Sequence, residues 1–203
     1  MDFCGDSIEA MRSLFPEEEG GSIPTSPLQL RFEVIEPITA AVAYRKWHYL
    51  SDTGFLSQIS FGAYFNGILQ GAISFGPLSA PELIGHWDRQ TQSGWYEIKR
   101  LAMSPICPRN SESRFIGRSI WMLRKRCIVK GIVTYADTEY NHSGVIYIAT
   151  GFNYLGLTAP KTDFWIGDKR HPSRDRTTGK TGEWRPRSRK HLFIKSFALE
   201  ASP

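Results

Sequence analysis

Apolar and polar positions along the chain fall into blocks of two periods. From Leu28 to Ile35, apolar Leu28, Leu30, Phe32 and Val34 alternate with polar neighbours, the period of a half-buried strand. Pro37 is pre-set for the first turn of a helix, and the spacing of Ile38, Val42 and Trp47 predicts one over 38–50. Two apolar runs, Phe61–Phe65 and Ile68–Phe75, flank Asn66-Gly67, a pair that accepts the positive φ angles of a type I′ turn. A hairpin is therefore expected over 59–75. Trp95–Met103 reads as a further strand, stopped near Pro105. Ile120, Leu123, Cys127 and Ile128 share one face of a helix over 117–130, with Arg118, Arg124, Lys125 and Arg126 on others and Gly131 as its expected stop. Ile132–Ala136 follows as a buried strand and Ser143–Thr150 as a short helix closed by Gly151. Strands near Phe164–Ile166 and Leu192–Phe197 complete the order. That order predicts an α/β (α+β) domain with a mixed sheet and helices against its faces.

Residues 1–27 join a short helical stretch, Ser7–Leu14, to an acidic triplet, Gly20-Gly21 and a Pro/Ser/Thr-rich run, and read as a partly extended arm. The remaining 28–203 suit one domain. At 41% hydrophobic and 22% charged residues the chain has a globular composition, and no apolar run approaches the roughly 18–20 residues of a membrane span, so no membrane partner is expected. The start Met1-Asp2-Phe3-Cys4 lacks a secretory pattern, which points to the cytoplasm. Cys4, Cys107 and Cys127 are odd in number and far apart. They are expected as free thiols, with Cys127 serving as a packing residue.

Charge sharpens the picture once it is located. Lys169–Lys190 holds nine basic and two acidic residues, whereas the whole chain carries a net charge of only +5, so the rest is slightly acidic. Such asymmetry is the footprint of a phosphate-backbone binder, with a merely solvated basic loop as the alternative. Lys180, Arg185, Arg187 and Arg189 are the expected phosphate contacts, and Trp184 among them is placed to stack on a base or simply to pack.

Two constellations carry candidate chemistry. In the first, the strand Lys99-Arg100-Leu101-Ala102-Met103 is followed by Arg114-Phe115-Ile116-Gly117-Arg118-Ser119 at an expected helix start, where unpaired amides and a partial positive charge suit a pyrophosphate. In the second, a strand ends in Asp137 and the next helix carries Tyr147-Ile148-Ala149-Thr150-Gly151-Phe152. In this order the two resemble the Gcn5-related N-acetyltransferase (GNAT) superfamily, over residues 28–167. The resemblance implies a mostly antiparallel central sheet. It also implies a strand at Arg100, Leu101 and Met103 that holds pantetheine, a loop at Arg114, Gly117, Arg118 and Ser119 that holds pyrophosphate, and Tyr147 as a candidate acid. Ser119 departs from the usual Gly or Ala, and its hydroxyl is counted with the catalytic candidates.

A narrower resemblance covers nearly the whole chain. Trp47-His48-Tyr49-Leu50, Glu97-Ile98-Lys99-Arg100-Leu101 and Tyr135-Ala136-Asp137-Thr138 through Gly156 resemble the Mom family of phage DNA-modification proteins. This implies conversion of adenine in double-stranded DNA to an N6-carbamoylmethyl form in the host cytoplasm, as a shield against host restriction. Acyl transfer from acetyl-CoA would leave an amide on N6, whereas this product needs a methylene carbon on N6 and a second nitrogen. The donor is therefore acetyl-CoA acting with help or another CoA- or nucleotide-linked small molecule; a metal ion, a host factor and a homodimer stay open. Adenine N6 is a weak nucleophile, so a base is expected beside it, and Asp137 at the end of a central strand is the first candidate. An Asp that caps the following turn is the bland alternative. His48 and Tyr49 would stack on or hydrogen-bond to the adenine, and Arg100 would pair with a phosphate or orient Asp137. His48, Asp137, Glu139 and His142 are a weak metal set. A GNAT acting on a small-molecule or protein amine, and a non-catalytic DNA-binding protein, are the competing readings.

Overall fold

The computed structural model describes residues 23–49, 56–86, 92–170 and 181–197. Most of the expected arm, and Lys180, lie outside the described residues. Ser26 and Gln29 form a capping box around a 3-10 turn at Pro27–Gln29, so the first strand, β1, spans only Arg31–Ile35. That turn takes Leu28 out of the expected alternation and leaves it exposed, while Phe32 stacks on Phe115 with ring centroids 5.2 Å apart. Helix α1, Pro37–Trp47, keeps Pro37 in its first turn. Its buried residues are Ala40, Val42, Ala43 and Tyr44, and Ile38 of the expected stripe is 65% exposed. The alanines decide this, because they let the helix lie close over Ala72 and Ala102 of the sheet.

The expected hairpin is present as β2 (Ile59–Phe65) and β3 (Ile68–Gly76), with φ of 49° at Asn66 and 82° at Gly67. Strand β4 (Trp95–Met103) follows. Helix α2 then runs Ser111–Arg124, starting six residues before the expected Gly117. Pro105 and Pro108 break the chain ahead of it, and its buried stripe of Ser111, Phe115, Ile116, Ser119, Ile120 and Leu123 extends the helical period backwards to that start. Gly131 does not stop this helix. It opens β5 (Gly131–Asp137), where any side chain would run into the Trp95 ring on the neighbouring strand.

The short helix α3 (Val145–Ile148) is followed by β6 (Asn153–Leu157), β7 (Thr162–Ile166), β8 (Lys169–Arg170), β9 (Glu183–Pro186) and β10 (Lys190–Ser196). The central sheet has seven strands in the order β1-β2-β3-β4-β5-β10-β6, antiparallel except where β4 meets β5. This is the mixed, mostly antiparallel sheet that the resemblance implied. The expected basic loop is in part a second, three-stranded sheet, β8-β7-β9. Helix α1 covers one cluster on the central sheet, and α2 and α3 pack on the larger one around Phe61, Ile73, Phe75 and Phe193.

Candidate functional site

Strands β4 and β5 are paired only over Trp95–Glu97 and Gly131–Val133. Beyond that they diverge, and a cavity of about 310 Å³ opens between them, lined by Ile98–Leu101 on one side and Tyr135 and Ala136 on the other. In a continuous ladder the β4 edge would be hydrogen-bonded to β5; here the edge after Glu97 is turned toward the cavity. Residues 141–147 form a further wall, His48 and Tyr49 arrive from the end of α1, and Glu112 comes from the first turn of α2.

The start of α2 borders this space, and no side chain caps it. Asn110 takes a left-handed φ of 71°, the Arg114 amide donates to the Asn110 carbonyl, and the Ser111 amide and hydroxyl both donate to the Pro108 carbonyl. The amides of Glu112 and Ser113, free of helix partners by their position in the first turn, are those available to an anion. The expected pyrophosphate cradle is thus displaced. Gly117 and Arg118 lie on the exposed middle of the helix, and Ser119 is fully buried with its hydroxyl lacking a hydrogen-bond partner among the described residues. Arg114 places its guanidinium over the Phe32 ring at 5.9 Å. Leu101 lines the cavity, whereas Met103 packs against the core beyond it.

Arg100, only 6% exposed, donates from Nη1 to the His48 Nδ1 at 3.2 Å. Because the guanidinium can only donate, this contact assigns the lone pair to Nδ1 and the proton of neutral His48 to Nε2. Burial, then the Arg100 charge and His142, lower the His48 pKa to about 4, so the ring is neutral near pH 7. Burial also lowers the Arg100 pKa, with Tyr44 and Tyr49 opposing it. At the mouth the His48 ring stacks on Tyr49 at 4.3 Å, and Tyr49 meets Tyr140 at 4.0 Å and His142 at 5.2 Å. Burial and the Asp137 charge push the Tyr49 pKa up to about 12. Tyr140 and Asn141 are site residues that the sequence reading missed. The 3-10 turn Thr138–Tyr140 and the left-handed Asn141, φ 57°, bring them to the mouth, and Tyr-Asn after a buried strand was the available signal.

Tyr147 lies in the cavity wall with its ring against Phe152 and Phe193. Burial raises its pKa, against a lowering by the neighbouring Thr134, and Glu112 across the cavity adds to the rise. Asp137 is placed otherwise than expected. Its carboxylate accepts from the Glu139 amide at 3.1 Å as the cap of the following turn, pairs with Lys190 at 3.3 Å, and is not part of the cavity lining. Burial works to raise its pKa, but hydrogen bonds from Ser188 and the Glu139 amide, with the Lys190 ammonium, outweigh it and hold the carboxyl below its ordinary value. A depressed pKa makes a weak base, so the capping alternative describes this residue better. The weak metal set does not assemble either. Among the described residues no group of three His, Cys, Asp or Glu side chains is placed to hold an ion.

The basic segment is fastened beside the cavity mouth, where Thr138 donates twice to the Arg189 carbonyl and Lys190 pairs with Asp137. Its arginines at 185, 187 and 189 bind protein groups. Arg187 forks onto the buried Asp163, Arg189 donates to the carbonyls of Thr158 and Leu157, and Arg185 pairs with Glu183 and lies over Trp165. Trp184 is 45% exposed and packs one side on Phe164. No helix among the described residues is long and apolar enough to cross a membrane.

Comparison with known proteins bears on the fold and the family. The methylcarbamoylase mom of Escherichia phage Mu is 27% identical over 145 residues, 69% of this chain and 59% of that protein, so the match spans less than two thirds of the curated relative. Among solved structures, Arabidopsis thaliana NAA60 in complex with acetyl-CoA is similar with a TM-score of 0.52 at 12% identity, over 83% of this chain and 99% of that one. A GNAT family acetyltransferase from Elizabethkingia anophelis with acetyl-CoA bound gives 0.51 at 14%, over 83% and 99%. The ribosomal-protein-S18-alanine N-acetyltransferase of Escherichia coli gives 0.51 at 12%, over 85% and 96%. At such identities these structures speak for the fold, which is GNAT-like. The Mom protein family matches residues 29–198, nearly all of the described chain, and the protein therefore belongs to the Mom protein family.

Proposed function

We propose that the protein is a DNA-modifying transferase that converts adenine in double-stranded DNA to its N6-carbamoylmethyl form, protecting phage DNA from host restriction, with the β4–β5 cavity as the reaction site. The observation that carries this reading is the divergence of the two strands beyond Glu97 and Val133, which opens a cavity walled by Arg100 and Tyr147 with a mouth of aromatic rings.

A donor of the coenzyme A class fits the residues present. The β4 edge at Ile98–Leu101 would hold pantetheine amides, and the uncapped amides of Glu112 and Ser113 would receive the pyrophosphate. The Glu112 carboxylate is the one feature of that cradle that disfavours an anion. Such a donor would supply a two-carbon unit activated at its carbonyl carbon. The product instead joins a methylene to N6, so that methylene would have to carry a leaving group of its own, displaced as N6 loses a proton. The second nitrogen would enter as an amine, from a further small molecule or a host factor, that displaces coenzyme A at the carbonyl.

The chain's own residues set up the rest. A target adenine cannot reach an interior cavity while stacked in a duplex, so it is extruded, and the exposed faces of Tyr49 and Tyr140 offer it a stacking surface. His48, neutral with its proton on Nε2, donates a hydrogen bond to a ring nitrogen of the base. Arg100 fixes that tautomer and sets a buried positive charge beside the developing negative charge. Tyr147 keeps its proton and is the available acid. In the basic segment Lys180, Trp184 and Arg185 are the DNA contacts, while Arg187 and Arg189 hold the fold.

Mass spectrometry of nucleosides from cells expressing the protein, in a host that supplies the donor, tests this. A heavier, carbamoylmethylated deoxyadenosine is expected, and its loss in Arg100→Gln. Unmodified adenine, with coenzyme A released on amine acceptors instead, would transfer the protein to the amine acetyltransferases.

A further inference from the structure

One strongly charged surface plays no part in the site. Between Glu112 and Asp137 the chain contains no carboxylate, yet it carries Arg114, Arg118, Arg124, Lys125, Arg126 and Lys130. The buried stripe of α2 faces the sheet, so the helical period puts Arg118, Trp121, Arg124 and Lys125 on its outer side, all exposed. Trp121, 50% exposed, is flanked by the Arg118 guanidinium 4.6 Å from its ring centroid and the Lys125 ammonium at 5.9 Å. Arg124 lies over Phe197 at 4.7 Å, and Lys195 comes within 6.0 Å of the same ring.

The Trp121 face holds Arg118 and Lys125 in place and, unlike a carboxylate, leaves their charge to solvent and ligand. The contrast is with Arg187 of the basic segment, which meets the buried carboxylate of Asp163. Arg118 and Lys125 are seven residues apart, about 10 Å along the helix, a length that covers roughly three phosphates of one DNA strand. The same helix begins at the cavity with Glu112.

We propose that the outer face of α2 is a phosphate-binding surface that docks the sugar-phosphate backbone of double-stranded DNA, independently of sequence. The inference rests on the reading of DNA as the substrate. It adds a second electrostatic contact, outside the basic segment, that guides the duplex to the cavity through the helix they share.

The test is the affinity of the full chain for a fluorescent duplex as a function of salt. Replacing both Arg118→Gln and Lys125→Gln removes two cations from exposed positions and is expected to flatten the plot of log affinity against log salt by about 1.8 units. The charge-conserving pair Arg118→Lys and Lys125→Arg should keep the slope of the unaltered protein. An unchanged slope in the neutralised protein overturns the proposal, as does loss of binding to vesicles of anionic phospholipid with duplex affinity intact, which would make the face a lipid-binding one. Failure here leaves the substrate reading standing if carbamoylmethyl-deoxyadenosine is still formed. Conversely, a flattened slope with no modified base overturns the transferase reading and keeps the surface.

Discussion

Arg187 in the minor sheet and Arg100 in the central sheet both reach into the body of the protein, and their surroundings differ in kind. Arg187 meets Asp163, a carboxylate 3% exposed that also receives Arg170 at 3.5 Å. Arg100, 6% exposed, stands in the wall of an open cavity and donates to the neutral ring of His48. A buried cation answered by a carboxylate is a closed pair whose field is consumed within the fold. Arg100 instead lines a cavity, where its charge bears on the ring of His48 and helps to lower that ring's pKa. The difference separates a structural use of arginine from the chemical one proposed for Arg100.

Removing the carboxylate should break the first case most severely. Asp163→Ala leaves the partly buried Arg187 guanidinium without its carboxylate, and disrupting a buried pair in this way costs about 3–5 kcal/mol, or roughly 10 °C in melting temperature. At permissive temperature the nucleoside product per folded molecule should be unchanged. A melting curve that does not move would show that the minor sheet does not depend on this pair. Arg100→Gln should do the reverse, cutting product by about 100-fold or more, as loss of a placed charge in an active site does, while leaving the melting temperature within a few degrees. Undiminished product would mean that the two arginines are alike after all.

Acid should sharpen the contrast with a smaller effect. The His48 pKa is lowered to about 4, so between the ordinary histidine value and pH 4 the unfolded chain holds a proton that the folded chain does not. Stability contributed by the neutral ring is therefore full above that window and lost as the pH falls through it. His48→Gln should flatten chemical-denaturation stability over that range. The depressed Asp137 carboxyl acts lower down, since its contribution is present above the ordinary carboxylate range and lost only as the pH drops through its lowered pKa. Least of all, Arg185→Gln should reduce the salt slope of duplex binding by about 1 unit with little change in stability, because its pair with Glu183 lies on the surface. A loss of stability without a change in slope would place Arg185 beside Arg187 as a structural residue.

What could be read from the sequence divides along the same line between local and non-local causes. Asn66-Gly67 fixes its own turn, and the strand at Trp95–Met103 carries its own pattern, so both stand where the periodicity puts them. The order of elements was enough for a mixed sheet with helices on its faces. The stripe on α1 was misread because two alanines, weak on any hydrophobic scale, make the closest approach to the sheet. Gly131 looked like a helix stop because its real constraint is the Trp95 ring, far away in sequence. His48, Tyr49, Arg100 and Tyr147, far apart in sequence, line one cavity. Asp137 has the residue type and position of a base, but Lys190 and Ser188, brought by the C-terminal strand, turn it to another use. The start of α2 was displaced by six residues, and the anion-accepting amides moved with it.

In the proposed reading the donor lies between the diverging strands with its phosphates at the start of α2. Amide hydrogen exchange of the intact protein, with and without saturating coenzyme A, tests it most directly. Protection is expected at Ile98–Leu101 and at Glu112 and Ser113, with the amides around Gly117 unaffected. Protection centred on Gly117–Ser119, or none along β4, would contradict it.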